Sequence, residues 1–443
     1  MPSIIRNTLC LSLIALASQQ ADAQLIISGT ALPAIEIDAP GSTGLEKIYV
    51  VESTDGMEVS YPAADGQWQR FSAMGAAYGE AVASTIAGNS SILSRPEGNV
   101  GYAVTSEGKT HYYWIVNYSA YPFALRDLKL NPADTDCGTT WLDVDGEGER
   151  IPYYSINGVP QWLSRELRLS YTTLEFDEET FQYQPVETTE TLDGFTDETI
   201  QCPSPLCQTD FTLSGDRFQR LWGREESIVS PTYDPIAVGV QTRATQAARD
   251  NDNEVKVDTG LGGSGPVDIT FEATVTDATI FHEWELGYDT DFQQVFMRSR
   301  DLDFSYTFRE QGTIYVRMVG ANSDGSCETY GDTYEVFIGE SQLKCPNAFS
   351  PGSTPGINDE WKVSYKSITE FECHIFDRHG RQLAHLTDPS QGWDGKRGVK
   401  TVGPGVYFYV IRAKGTDGKK YNLKGNINVV GHKQTNRTSN ATE

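Results

Sequence analysis

Apolar and polar residues alternate with a period of two through much of the chain. The segment Val267-Asp268-Ile269-Thr270-Phe271-Glu272-Ala273-Thr274-Val275 is the clearest case. Leu302, Phe304, Tyr306 and Phe308 repeat the pattern, as do Ile314, Val316 and Met318, and then Tyr334, Val336 and Ile338. Alternation of this kind predicts strands with one buried and one wet face. Gly312, Gly320, Gly325 and Gly331 punctuate the runs. Strands at roughly ten-residue spacing predict a β-sandwich over residues 267–340. No long stretch carries helical periodicity, so an all-β chain is expected and a mixed α+β domain is the lesser alternative.

Upstream, Val100 to Thr105 and His111 to Val116 flank Ser106-Glu107-Gly108-Lys109 and predict a hairpin. Leu167 to Phe176 and Phe181 to Thr188 predict another, with Asp177-Glu178-Glu179 at its turn. Two β-rich, Ig-like domains are therefore expected, over 24–130 and 131–245, with the break near Asn131-Pro132. Residues from Ala244 onward turn polar, then acidic at Asp250-Asn251-Asp252-Asn253-Glu254, then glycine-rich up to Pro266. That composition builds no core and predicts a flexible linker over 246–266.

The first 23 residues read as a secretory signal peptide. Arg6 supplies the positive region, Leu9 to Ala17 a short apolar run, and Ala21-Asp22-Ala23 a cleavage site. The apolar run is too short to span a bilayer, and no later stretch is long enough to be a transmembrane helix. Export permits disulfides. Six cysteines follow the leader: Cys137, Cys202, Cys207, Cys327, Cys345 and Cys373. Cys327 and Cys345 bracket one predicted strand and are expected to pair, whereas Cys373, inside an apolar strand, is expected to be a buried thiol.

Specific motifs begin at residue 345. Pro346-Asn347-Ala348-Phe349-Ser350-Pro351 leads into Gly356-Ile357-Asn358-Asp359 and Trp361. Ile375-Phe376-Asp377-Arg378-His379-Gly380, Gly392-Trp393-Asp394-Gly395 and Pro404-Gly405-Val406-Tyr407-Phe408-Tyr409-Val410-Ile411 follow in order. Together they resemble the gliding motility-associated C-terminal domain of Bacteroidetes proteins, the type B sorting signal of the type IX secretion system. The resemblance places a small β-sandwich sorting domain at 345–430, followed by a polar tail, 431–443. It implies recognition by the type IX translocon and delivery to the outside of the cell or its outer-membrane surface. Gly352-Ser353-Thr354-Pro355 departs from the family's Asn-Gly-Asp-Gly-type loop. Gly380, Trp393, Pro404 and Gly405 are expected to hold the domain's shape, and Asp417-Gly418 to turn the final hairpin. Residues 267–340 similarly resemble PKD-type Ig-like domains, on Phe271-x-Ala273, His282-Glu283-Trp284-Glu285-Leu286, Tyr306-Thr307-Phe308 and Gly312-Thr313-Ile314-Tyr315-Val316.

Composition adds exclusions. The 443 residues include 22 Tyr, 18 Phe and 8 Trp, too many aromatics for a disordered chain. A net charge of −26 excludes a nucleic-acid-binding role for the chain as a whole. The charge is unevenly spread, since residues 351–430 carry 12 basic and 8 acidic side chains and the body is strongly acidic. The six histidines, His111, His282, His374, His379, His385 and His432, show no metal-ligand spacing. Asp143-Val144-Asp145-Gly146-Glu147-Gly148-Glu149 and Asp250–Glu254 are calcium candidates, with a plain turn and a solvated acidic run as the favoured alternatives. Trp141, Trp162, Trp222 and Tyr113-Trp114 are candidates for a glycan platform, with core packing favoured.

No catalytic, cofactor-binding or metal-ligating residue is thus singled out, and no cofactor is expected. The expected protein is a secreted or cell-surface multi-domain β-protein exported by the type IX system. Its Ig-like body is expected to bind an extracellular protein or glycan. The alternatives are an enzyme with its catalytic domain in 24–245, or a structural part of the gliding or secretion apparatus.

Overall fold

A computed structural model describes residues 24–93, 95–195, 199–256, 260–352 and 358–431. The expected signal peptide and residues 432–443 of the tail lie outside the described residues, as does most of the loop after Pro351. The chain is all-β: tandem Ig-like sandwiches end in a small β-sandwich, and the one described α-helix is Arg217–Leu221.

The first unit is built on a six-stranded sheet. Its middle strands are Lys47–Val51, Lys109–Asn117, Val100–Ser106 and Gln67–Phe71. Lys47–Val51 and Tyr113–Asn117 run parallel, an arrangement that no hairpin can make. These strands read as unbroken apolar runs because both faces of the sheet are covered. Tyr113 and Ile115 face one core with Trp68, Tyr102 and Val104, under a second, four-stranded sheet. Trp114 and Val116 face another core, shared with Ile151, Tyr153, Leu163, Phe218 and Trp222 from much later in the chain. The expected hairpin at Ser106–Lys109 is present, turning through Glu107 at φ 50° and Gly108 at φ 78°.

The second unit pairs Ala124–Asn131, Thr139–Glu147 and Thr199–Pro203 in one sheet. Its other sheet contains Gln182–Leu192, Leu167–Asp177, Thr212–Gly215 and Glu226–Val229. Leu142, Val144, Leu167, Leu169, Phe211 and Leu213 fill the space between. The break expected at 130/131 falls at the tip of the hairpin joining Ala124–Asn131 to Thr139–Glu147, inside one sheet. The long hairpin expected at Asp177–Glu179 is present, with the Asp177 carboxylate accepting from Glu179 N and Thr180 Oγ1.

The third unit confirms the period-two reading. Val240–Gln246 pairs with Val267–Val275, which pairs with Phe304–Phe308. The facing sheet runs Leu261–Gly263, Tyr334–Ile338, Gly312–Ala321, Phe281–Gly287 and Val295–Ser299. Phe271, Trp284, Leu286, Phe308 and Val316, taken from the resemblance motifs, form its fully buried centre. The stretch expected as a flexible connection makes specific bonds: Asn253 Nδ2 donates to Val363 O and Pro389 O, both at 2.8 Å. Lys362 Nζ lies 3.2 Å from Asp252, and Asn251 donates to Tyr365 OH at 3.0 Å.

In the last unit Gly405–Gly415 and Lys420–Val429 form the expected hairpin, extended by Ile368–Phe376 and Gln382–Leu386. Trp393 is buried, and its backbone pairs with that of Trp361. Its indole donates to Lys396 O at 3.0 Å, closing the turn. Gly380 has φ 77° in the tight turn after Asp377, a geometry that disfavours side chains.

The cysteines correct one expectation. Cys327 bonds to Cys137, 190 residues away, not to Cys345. The strand Tyr334–Ile338 lies between Cys327 and Cys345 and carries the chain the length of a sandwich, about 17 Å. Cys345 ends up against the last unit's core, while Cys327 faces the second unit. Cys373 is a buried free thiol as expected, and Cys202 is another. Burial pushes both thiols up to about 12. At pH 8 both therefore stay protonated and unreactive. Iodoacetamide will leave Cys202 and Cys373 unmodified in the native protein and alkylate them in guanidinium. Mass-spectrometric detection of native labelling at Cys373 matching the unfolded rate would overturn this.

Candidate functional site

A groove of about 460 Å³ opens where the first two units meet. The strand Thr139–Glu147 delivers one wall, and the chain continues through Gly148, Glu149 and Arg150 along the rim. Trp162, on Pro160–Leu163, also lines the groove and is 53% exposed. The Arg150 guanidinium sits 5.5 Å from the Trp162 ring centroid, a cation–π contact. Tyr121, Pro122 and Phe195 complete the apolar lining.

The floor is Arg165, which is 1% exposed. Its Nη1 donates to Asp216 Oδ2 at 2.7 Å, and Nε to Glu149 O at 2.6 Å. Nη2 donates to Tyr121 O at 3.0 Å and Pro122 O at 3.2 Å. Asp216 is fully buried; its Oδ1 accepts from Phe218 N and Gln219 N, capping the short helix. Tyr118 OH also donates to Asp216 Oδ2, and burial raises its hydroxyl well above the usual tyrosine range. The groove therefore offers the Trp162 ring with Arg150 against it and the Glu149 carboxylate at the rim, while Asp216 neutralises Arg165 beneath the floor and Arg126 pairs with Glu147. Such a surface suits a flat polar ligand face, and among the described residues lining it no nucleophile stands with an activating base.

Of the proposed aromatic platform, only Trp162 is exposed. Tyr113 and Trp114 are buried in the two cores of the first unit. Trp222 is buried with its indole donating to Pro33 O at 2.9 Å. Trp141 is half-buried on the second unit's sheet.

The acidic runs do not converge. Asp143, Asp145 and Glu147 lie on a strand rather than a turn, with alternate side chains spaced about 6.7 Å apart. Asn131 Nδ2 donates to Asp143, and Arg126 pairs with both Asp145 and Glu147. In the second run Asp252 is countered by Lys362, and Glu254 by Arg249 at 3.1 Å.

Two of the histidines lie closer together than their linear spacing suggests. His374 and His385, eleven positions apart, face each other across the last unit's sheet beside Glu372. Pairing register brings them together, and linear spacing gave no sign of it. On the same outer face the strand Gly405–Gly415 exposes Val406, Phe408 and Val410.

Comparison with known proteins divides the chain. Residues 129–230 match the family model of a fibronectin type III domain. Residues 343–429 match that of the CHU_C type IX secretion signal domain. No curated protein matches the chain. Among solved structures, a tetra-tandem repeat from the extending region of a large adhesion protein is 13% identical. The match covers 86% of this chain and 96% of that one at a TM-score of 0.20. Sidekick-1 immunoglobulin domains 1–5 are 9% identical over 93% of this chain and 81% of theirs, at a TM-score of 0.24. A Ca2+-stabilized adhesin of an Antarctic bacterium is 11% identical over 85% and 94%, at 0.19. The chain thus carries a type IX secretion signal domain and is a secreted or surface β-protein, with no helix among the described residues long and apolar enough to cross a membrane.

Proposed function

We propose that the protein is a cargo of the type IX secretion system. Its last unit addresses the translocon, and its Ig-like body binds an extracellular protein or glycan instead of catalysing a reaction. The observation that carries the reading is the secretion-signal match over 343–429, which coincides with a unit holding its own core of Trp361, Cys373, Ile375, Ile411 and Ile427. The inter-unit groove with exposed Trp162 is the body's binding surface, because stacking on an aromatic wall suits sugar rings and planar side chains alike. The third unit, an Ig-like sandwich whose sequence motifs resemble those of PKD-type domains, serves as a spacer.

Fractionation tests the export half. Cells expressing the full chain will place it on the surface or in the medium, and a truncation after residue 340 will leave it in the periplasm. Equal surface delivery of the truncated chain would refute the sorting role.

A further inference from the structure

We propose that Glu372, His374 and His385 form a site for one divalent transition-metal ion of the zinc class, on the outer face of the last unit's sheet. His374 and His385 are cross-strand neighbours in the antiparallel ladder of Ile368–Phe376 with Gln382–Leu386. Their rings stack with centroids 4.4 Å apart and planes inclined by 6°. Nε2 of each ring lies 3.2 Å from the same atom, Glu372 Oε1. One ligand atom from each of the three side chains falls within 4.8 Å of the others.

The chemistry of this donor set is specific. Two borderline imidazole nitrogens beside one hard carboxylate oxygen suit zinc and its neighbours, whereas calcium and magnesium favour all-oxygen sets. In a tetrahedral zinc centre two nitrogen ligands sit about 3.3 Å apart, close to the Nε2–Oε1 separations already present. Nδ1 of His374 is buried with no hydrogen-bond partner, so Nε2 is the nitrogen this ring presents outward. Stacked rings do not aim both lone pairs at one point. Loading requires the imidazoles to tilt about their soft terminal torsions, while the ladder holds both backbones still. Arg412 stands opposite Glu372 in the next strand. The three side chains are 30–45% exposed, so a fourth coordination position faces solvent. The site stands independently of the export reading.

Isothermal titration of zinc chloride into the EDTA-treated full chain at pH 7.5 is the test. The wild type should show one saturable equivalent that His385→Gln and Glu372→Gln each weaken by at least about 100-fold, more than loss of an outer-shell partner would. Both altered side chains are partly exposed, so metal-free melting should be unchanged, and added zinc should raise it in the wild type alone. An isotherm shared by the wild type and His385→Gln, or no saturable binding by the wild type, would overturn the proposal.

Discussion

Replacing Arg165 with Met will destabilise the amino-terminal half of the protein by about 3–5 kcal/mol, because it leaves Asp216 charged and buried without its cation. Arg165 and Asp216 are 1% and 0% exposed, so solvent cannot replace the lost partner. The loss extends beyond one ion pair. Arg165 also satisfies the backbone carbonyls of Glu149, Tyr121 and Pro122, which belong to the segments joining the first and second units. A lysine would carry the charge but not the planar fork, so Arg165→Lys should recover only part of the stability. For a unit of about 200 residues the expected fall in melting temperature is on the order of 10 °C. Asp216→Asn should cost less than Asp216→Ala, since its amide oxygen can still accept from Phe218 N and Gln219 N. Calorimetry of both single variants and the double Arg165→Met/Asp216→Asn makes the argument quantitative. The double variant should lose less than the two single losses combined, because it strands no charge. Strict additivity would mean the pair is not coupled and would remove the basis for the prediction.

This pair also shows where sequence reading stops. Strands were legible because burial of one face forces alternation, and Val267–Val275 or Gly312–Ala321 carry that pattern without help from the rest of the chain. Turn chemistry was equally local, as at Glu107-Gly108 and Asp417-Gly418. The runs around Lys47–Val51 and Tyr112–Val116 announced strands but not their two cores. Their second cover comes from residues 151–163 and 218–222, up to about 170 positions away. Arg165 and Asp216, the disulfide partner of Cys327, and the His374–His385 pair share that property. Each depends on which strands become neighbours, and no periodicity records it. The motifs after residue 345 were an exception. Trp361 and Trp393 are distant in sequence, yet their surrounding turns are distinctive enough to be read as one unit.

Loss of the Cys137–Cys327 bond should have the second large effect. The bond closes a loop of 190 positions, and removing that constraint from the unfolded chain costs up to about 5 kcal/mol in the chain-entropy description. The two cysteines sit in turns of different sandwiches, Cys137 before the strand Thr139–Glu147 and Cys327 after Gly312–Ala321. Among the described residues few other bonds cross between these units: Thr274 Oγ1 donates to Phe181 O at 2.9 Å, Asn322 Nδ2 to Ile236 O at 3.3 Å, and the Tyr183 hydroxyl bonds with the Gln241 side chain. The Arg243 guanidinium also lies 4.2 Å from the Phe181 ring centroid. Contacts this sparse leave the two sandwiches free to reorient once the covalent tie is cut. Each keeps its own core, so neither should unfold outright when reduced. Two measurements on the Cys137→Ser/Cys327→Ser double variant separate the effects. Denaturant unfolding should resolve into independent steps, the first at a clearly lower midpoint than in the oxidised protein. Small-angle scattering under native conditions should show a larger and broader distribution of interatomic distances. An unchanged midpoint together with an unchanged scattering profile would mean that the non-covalent contacts suffice to fix the pair. The bond would then act on assembly of the chain rather than on the shape of the finished protein.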